Sequence, residues 1–198
     1  LGESYFPLAA SPTDETSSAR MDLKSVPVVF AGYGIFAPER DYDDYAGLDV
    51  AGKVALIFSH EPQENLRSSR LNGARPLRET TLNSKARAAR SRGALALLVV
   101  SDPTHRVDQA DYTLFTIESD AADHQIPVLR ISRERMDPLL RAWDLDGVAA
   151  MIDRDLMPRP RALAGATIDY VQRLSLNRRT VRNVVGILDG SDSAKNQE

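Results

Sequence analysis

Two short segments in the first third of the chain constrain its fold more than any other feature. Residues 29–35 read Val-Phe-Ala-Gly-Tyr-Gly-Ile, an apolar run that ends in a tyrosine between two glycines. Residues 49–57 read Asp-Val-Ala-Gly-Lys-Val-Ala-Leu-Ile, a tight turn that leads into a second apolar run. Because glycine adopts positive φ at no steric cost, this pattern predicts two buried strands, each bordered by a glycine-dependent turn.

Continuous apolar runs predict the strands of a buried sheet. Short runs rich in leucine and β-branched residues are typical of strands that are covered on both faces. The runs are residues 26–30, 54–58, 94–100 and 126–131. A strand over 147–152, an alternating and half-exposed antiparallel strand over 166–176, and a last buried strand over 182–188 follow. Residues 9–20 are small and polar, which predicts a linker.

Two segments have the spacing and the end signals of helices. Residues 81–92 offer threonine N-caps and are followed by Gly93 at the C′ position. Residues 133–143 follow Ser132, and their apolar positions fall on one face, which predicts packing against the sheet; these are Met136, Leu139, Leu140 and Trp143. Strands that alternate with helices in this way predict an α/β fold.

Composition excludes several classes of function. The formal charge of −3 argues against a nucleic-acid partner, because such partners are held by an excess of cations. The chain has no cysteine, which removes thiolate metal sites and thiol nucleophiles. No apolar run approaches the ~18–20 residues of a membrane span. The first residues contain neither an initiator methionine nor a signal sequence, so we expect a processed or excised fragment.

The motifs that suggest catalysis lack the context that catalysis needs. Gly47 and Gly52-Lys53 match the front of a phosphate-binding loop, but a strand follows them, whereas phosphate binding needs a helix N-terminus. The three histidines at 60, 105 and 124 lack the spacing of metal ligands, and no Gly-x-Ser-x-Gly sequence is present. Asp43 and Asp44 are adjacent on a predicted exposed turn, where we expect both to be solvated.

Two long segments, residues 59–79 and 101–125, are predicted to be loops. Loops of this length in a compact domain are usually lids, binding edges or mobile, solvated segments. The second contains Tyr112 and Phe115, which we take as candidate substrate-rim residues because aromatic side chains anchor ligands at binding surfaces.

Four segments, in order, give the chain a resemblance to the protease-associated (PA) domain, a non-catalytic insert of many peptidases. The first is residues 30–35, and the second is Tyr42 and Tyr45 ahead of residues 48–54. The third runs from Lys85 through residues 89–98, and the fourth is Ile-Pro-Val at 126–128. The Gly-Tyr-Gly version is similar to the insert of bacterial zinc aminopeptidases, in the family of aminopeptidase Y and glutamate carboxypeptidase. Residues 180–192 resemble the strand by which such enzymes return to their catalytic domain.

The resemblance implies a swivelling β/β/α architecture, with two layers of strands flanked by helices. It implies an N-terminal arm or linker over 1–25, the PA domain over 26–155, and return strands over 156–198 that lead toward a peptidase domain. It also implies structural signature positions and no catalytic or metal-binding residue in this chain; the signature positions are Gly32, Tyr33, Gly34, Asp49, Gly52 and Lys53. Zinc is expected in the catalytic domain of the same polypeptide, and a periplasmic or secreted location is expected.

Three functions are compared on these grounds. The first is an accessory domain that borders a zinc-peptidase active site and controls substrate access or peptide binding. The alternative is a stand-alone peptide- or protein-binding module of a receptor or sorting protein. An independent hydrolase is disfavoured, because no set of ligands or nucleophiles supports it. The sequence on either side of this chain distinguishes the three.

Overall fold

The computed structural model of the protein describes residues 18–71, 77–103, 115–117 and 126–175. The strands are β1 Ser18–Phe30, β2 Phe36–Ala37, β3 Tyr42–Asp43, β4 Val54–Phe58, β5 Ala96–Val100, β6 Phe115–Ile117, β7 Val128–Ile131 and β8 Arg161–Ser175. The helices are α1 Leu82–Ser91, α2 Arg133–Ala142 and α3 Leu145–Asp155, with short 3-10 turns at Pro38–Arg40 and Arg78–Thr80. This mixture confirms the predicted α/β class.

Six strands form one sheet in the order β6-β7-β5-β4-β1-β8, and β2 pairs with β3 in a small antiparallel sheet. The strands β1, β4, β5 and β7 run parallel, with Val28 opposite Val54 and Leu97 opposite Val128. β6 runs antiparallel to β7. Because parallel strands point the same way, the carboxyl ends of these four strands meet at one edge of the sheet. In open α/β sheets this is the edge where ligands bind.

The core lies on both faces of the central strands. Every residue of β4 and β5 is buried, as expected for parallel strands covered on both sides. The rings of Phe30 and Phe58 pack edge to face with their centroids 5.4 Å apart. Ala86 and Ala89 of α1 belong to the same buried cluster as Ala55, Leu97 and other strand residues. Packing α1 against the sheet also places the lysine of this helix in the interior.

Most predicted elements are confirmed. β4 has the predicted bounds, and β5 and β7 lie inside the predicted runs. α1 begins after Thr81, whose hydroxyl accepts a hydrogen bond from the Ser84 N–H at 3.3 Å, and Gly93 follows the helix with φ of 81°. α2 follows Ser132, although the serine side chain makes no capping hydrogen bond. The predicted strand at 182–188 and the predicted return segment at 180–192 lie outside the described residues.

Three details of the prediction are wrong. Residues 147–152 belong to helix α3, because its buried residues recur at i, i+3, i+4 and i+7 over a longer window; they are Leu145, Val148, Ala149 and Ile152. β1 begins at Ser18, inside the predicted linker, because β1 lies between β4 and β8 in the sheet, and this pairing is not visible in the local composition. On α2, Leu139 is 44% exposed, so the buried stripe is narrower than predicted.

The chain divides into two units by its internal contacts. Residues 22–171 form the first, which contains the elements described above except for the first residues of β1 and the last residues of β8. Residues 1–21 and 172–198 form the second, of which the structure describes only 18–21 and 172–175, the ends of β1 and β8.

Candidate functional site

A buried carboxylate organises the turn that follows β1. Asp44 is fully buried, and its Oδ2 accepts hydrogen bonds from the backbone N–H of Tyr33 at 3.1 Å and of Ile35 at 3.0 Å. Its Oδ1 accepts a hydrogen bond from the Tyr42 hydroxyl at 3.1 Å. Gly32 has φ of 52°, and a Cβ there would lie 2.3 Å from Asp44 Oδ1. Both the backbone conformation and the carboxylate therefore require glycine at position 32.

Burial shifts the pKa values of two ionisable groups of opposite charge next to this turn. Burial raises the pKa of Asp44 to about 7, against the hydrogen bonds from Ile35 and Tyr42 that favour the carboxylate. Lys85 of α1 is also buried, and burial lowers its pKa to about 8. The negative charges of Asp44, Glu61 and Asp102 oppose that shift in the pKa of Lys85. These groups therefore form one electrostatic network in the interior.

The parallel strands explain why these side chains lie together. Glu61 follows the carboxyl end of β4, and Asp102 follows the carboxyl end of β5. Lys85 reaches this edge from α1, and its Nζ donates a hydrogen bond to the backbone oxygen of His60. Arg133, after β7, donates to the backbone oxygen of Ser101 at 2.8 Å. The edge therefore gathers charges from segments that are far apart in sequence.

A cavity of about 340 Å³ lies beside this network. Its polar lining comes from the segment after β4 and from neighbouring elements: Ser59, His60, Glu61, Glu64, Thr80, Lys85 and Arg130. Its apolar lining comes from Ile57, Leu82 and Val99. Burial raises the pKa of Glu61, and a hydrogen bond from Thr80 opposes that shift. A concave site with an apolar wall and a few converging polar groups has the character of a small-molecule site.

Near the end of α1, an arginine contacts two rings of the segment after β1. The guanidinium carbon of Arg92 lies 4.3 Å from the ring centroid of Phe36 and 4.6 Å from that of Tyr45. Its Nη2 lies 3.3 Å from Asp43 Oδ1. These cation–π contacts and the ion pair join α1 to the small sheet.

The signature residues predicted from the sequence fall in two places. Gly32, Tyr33 and Gly34 are buried in the turn around Asp44, and Gly34 has φ of 72°. Asp49 and Lys53 form an ion pair of 2.6 Å on the turn before β4, where Gly52 has φ of 69°. This is the reverse turn that the sequence predicts in place of a phosphate-binding loop.

The side chains of the two candidate rim residues lie outside the described part of the chain. Tyr112 lies outside the described residues, as do His105 and His124. Phe115 begins β6, and its side chain is outside the described set. Among the residues that the structure describes, no group of three or more His, Asp or Glu is arranged to hold a metal ion. The described helices include none with the length and apolar character of a membrane span.

The prediction for Asp44 is wrong, and the rest of the charged network was missed. Asp44 was expected to be solvated on an exposed turn, but it is buried because three donors surround it. Glu61, Lys85 and Asp102 are also buried, although charged residues are rarely buried unless they are paired. One signal was available for Lys85: it lies at i−4 from the buried Ala89, on the face of α1 that packs against the sheet.

Comparison with known proteins gives one family match. A family model described as the PA domain matches residues 22–139. Among solved structures, an aminopeptidase from Aneurinibacillus sp. strain AM-1 is similar to this chain at 18% identity and a TM-score of 0.36. That similarity covers 82% of this chain but 30% of the aminopeptidase, and at this TM-score we draw no argument from it. The curated proteins contain no match.

Proposed function

This chain belongs to the PA domain family, and we propose that it is a non-catalytic accessory domain of a peptidase. The family match over residues 22–139 carries the proposal, because PA domains typically accompany peptidase domains in one polypeptide. In this role the domain borders the active site of its neighbour and controls which substrates reach it. Peptides are then the substrates of the whole polypeptide, and the peptidase domain is the partner of this domain.

The finer assignment is to a zinc-dependent aminopeptidase. Support comes from the Gly-Tyr-Gly segment at 32–34 and from residues 180–192, which resemble the return strand of such enzymes. Zinc would be bound by the catalytic domain, and the polypeptide would be periplasmic or secreted. The aminopeptidase assignment predicts His and Asp ligands for zinc within a few tens of residues after position 198, whereas the receptor alternative predicts none there.

The test uses the complete open reading frame that contains this sequence. We expect the full-length protein to hydrolyse aminoacyl p-nitroanilides in a zinc-dependent manner. Replacing residues 22–171 by a short Gly-Ser linker should preserve turnover of these small substrates but change the discrimination between dipeptides and longer peptides. Unchanged kcat/KM for every peptide length would contradict the proposal, and so would a reading frame without a peptidase domain.

A further inference from the structure

Two buried oxygens in the cavity lack a hydrogen-bond donor from the protein. Glu61 Oε2 and Ser59 Oγ are both buried without a partner, and both residues line the cavity. The Glu61 side chain belongs to a residue that is only 5% exposed. A buried carboxylate oxygen without a donor is destabilising, so these atoms indicate that a donor from outside the protein completes the site.

The unpartnered carboxylate oxygen of Glu61 favours a cationic donor. Four carboxylates act in this region: Glu61 and Glu64 line the cavity, and Asp44 and Asp102 act on the charge of Lys85. Two cations, Lys85 and Arg130, also line it, and His60 pairs with Glu64 at 3.2 Å. Among the residues that line the cavity the two glutamates balance these two cations, so the case for a cationic donor is carried by Glu61 Oε2, which as a carboxylate oxygen can only accept a hydrogen bond. Because apolar side chains adjoin this carboxylate in the cavity, a ligand that combines N–H donors with an apolar body fits the lining.

The volume and the apolar lining of the cavity indicate the size and character of the rest of the ligand. Its volume of about 340 Å³ lies at the lower end of the range for small-molecule sites, about 300 to 1,000 Å³. Ile57, Leu82 and Val99 provide an apolar wall beside the polar groups. We propose that this cavity binds the α-ammonium group of a small, apolar amino-acid derivative, with Glu61 as the main acceptor and the aliphatic wall contacting its side chain.

The same chemistry is found in a free amino acid and in the first residue of a peptide. The two differ in the group at the carboxyl end, which is a carboxylate in the first and an amide in the second. Arg130 lines the cavity and would favour a carboxylate only if it faces that end of the ligand. The proposal goes beyond the accessory role, because binding to this chain does not require a peptidase domain.

Isothermal titration calorimetry on the 198-residue chain at pH 7.5 tests the proposal with three ligands. L-leucinamide has the ammonium and an amide, L-leucine has the ammonium and a carboxylate, and N-acetyl-L-leucinamide has no ammonium. We expect saturable binding of at least one of the first two with a Kd of ~1 mM or tighter, and at least tenfold weaker binding of the acetylated compound. Their relative affinities distinguish a free amino acid from a peptide terminus. Equal binding of all three, or binding of none, overturns the proposal.

Variants locate the binding within the cavity. Glu61→Gln should weaken binding at least tenfold, whereas Glu134→Gln, at an exposed position of α2, should leave it unchanged. Leu82→Phe reduces the cavity volume from its apolar wall without changing charge, and it should also weaken binding. Circular dichroism establishes that each variant is folded; if Glu61→Gln is not, Leu82→Phe decides. Wild-type affinity in a folded Glu61→Gln or in Leu82→Phe places the ligand elsewhere and contradicts the assignment.

Discussion

Gly32→Ala is expected to be strongly destabilising, and the structure allows the loss in the free energy of unfolding to be estimated. Alanine at φ of 52° carries a strain of about 1–2 kcal/mol. Its Cβ would lie 2.3 Å from Asp44 Oδ1, so the carboxylate must move and lose at least one of its three hydrogen bonds. Each buried polar group left without its partner costs about 1–3 kcal/mol. Alanine also lowers the conformational entropy of the unfolded chain, which offsets about 0.4–1 kcal/mol of this destabilisation. The free energy of unfolding should therefore fall by about 3 kcal/mol in total.

Gly47→Ala is the matched control for this experiment. Gly47 also has positive φ, at 71°, but a Cβ there would meet no atom within 4 Å. Only the backbone strain and the effect on the unfolded chain remain, so we expect a loss of about 1 kcal/mol or less. Urea unfolding followed by circular dichroism gives both values, provided that the m-value is unchanged. Equal destabilisation of the two variants would refute the role assigned to Asp44.

Three further predictions concern stability. Burial raises the pKa of Asp44 to about 7 from its ordinary value of 3.8, so the folded state binds more protons than the unfolded state between these two values. Stability of the wild type relative to Asp44→Asn should therefore fall as pH rises through this window, by up to about 4 kcal/mol, and a pH-independent difference in urea unfolding would contradict this. Leu140→Ala should lower the free energy of unfolding by about 2–5 kcal/mol, whereas Leu139→Ala should lower it by less than about 1 kcal/mol, since only Leu140 is buried. Similar decreases in the melting temperatures of the two variants would contradict this. Arg92→Lys keeps the charge but weakens two ring contacts, so a loss of about 1 kcal/mol is expected in chemical denaturation, and wild-type stability would count against the contacts.

The strands could be predicted because a short segment made only of apolar residues indicates directly that the segment is buried. Residues 54–58 are apolar throughout, and the strand they form has every side chain buried. The two glycines at 32 and 34 indicated positive φ, which both adopt. Helix α3 was missed because Gly147 and a short apolar run suggested a strand, and only the wider spacing from Leu145 to Ile152 reveals the helical period.

The candidate site could not be predicted, because it depends on contacts between distant segments. Asp44 is hydrogen-bonded to residues 33 and 35 across a turn, and its neighbour Asp43 is only half-buried. Nothing in the local sequence distinguishes the two carboxylates. Glu61 and Lys85 likewise become buried only when the parallel strands bring their loops to one edge. Burial of a charge is decided by tertiary packing, which periodicity does not describe.

We propose that this chain modifies the activity of a neighbouring peptidase domain and catalyses no hydrolysis by itself. The most direct measurement is the hydrolysis of aminoacyl p-nitroanilides by the purified chain, with added Zn²⁺ and again after treatment with a chelator. The account predicts no turnover above the uncatalysed rate under either condition. Turnover that appears with Zn²⁺ and disappears on chelation would contradict it.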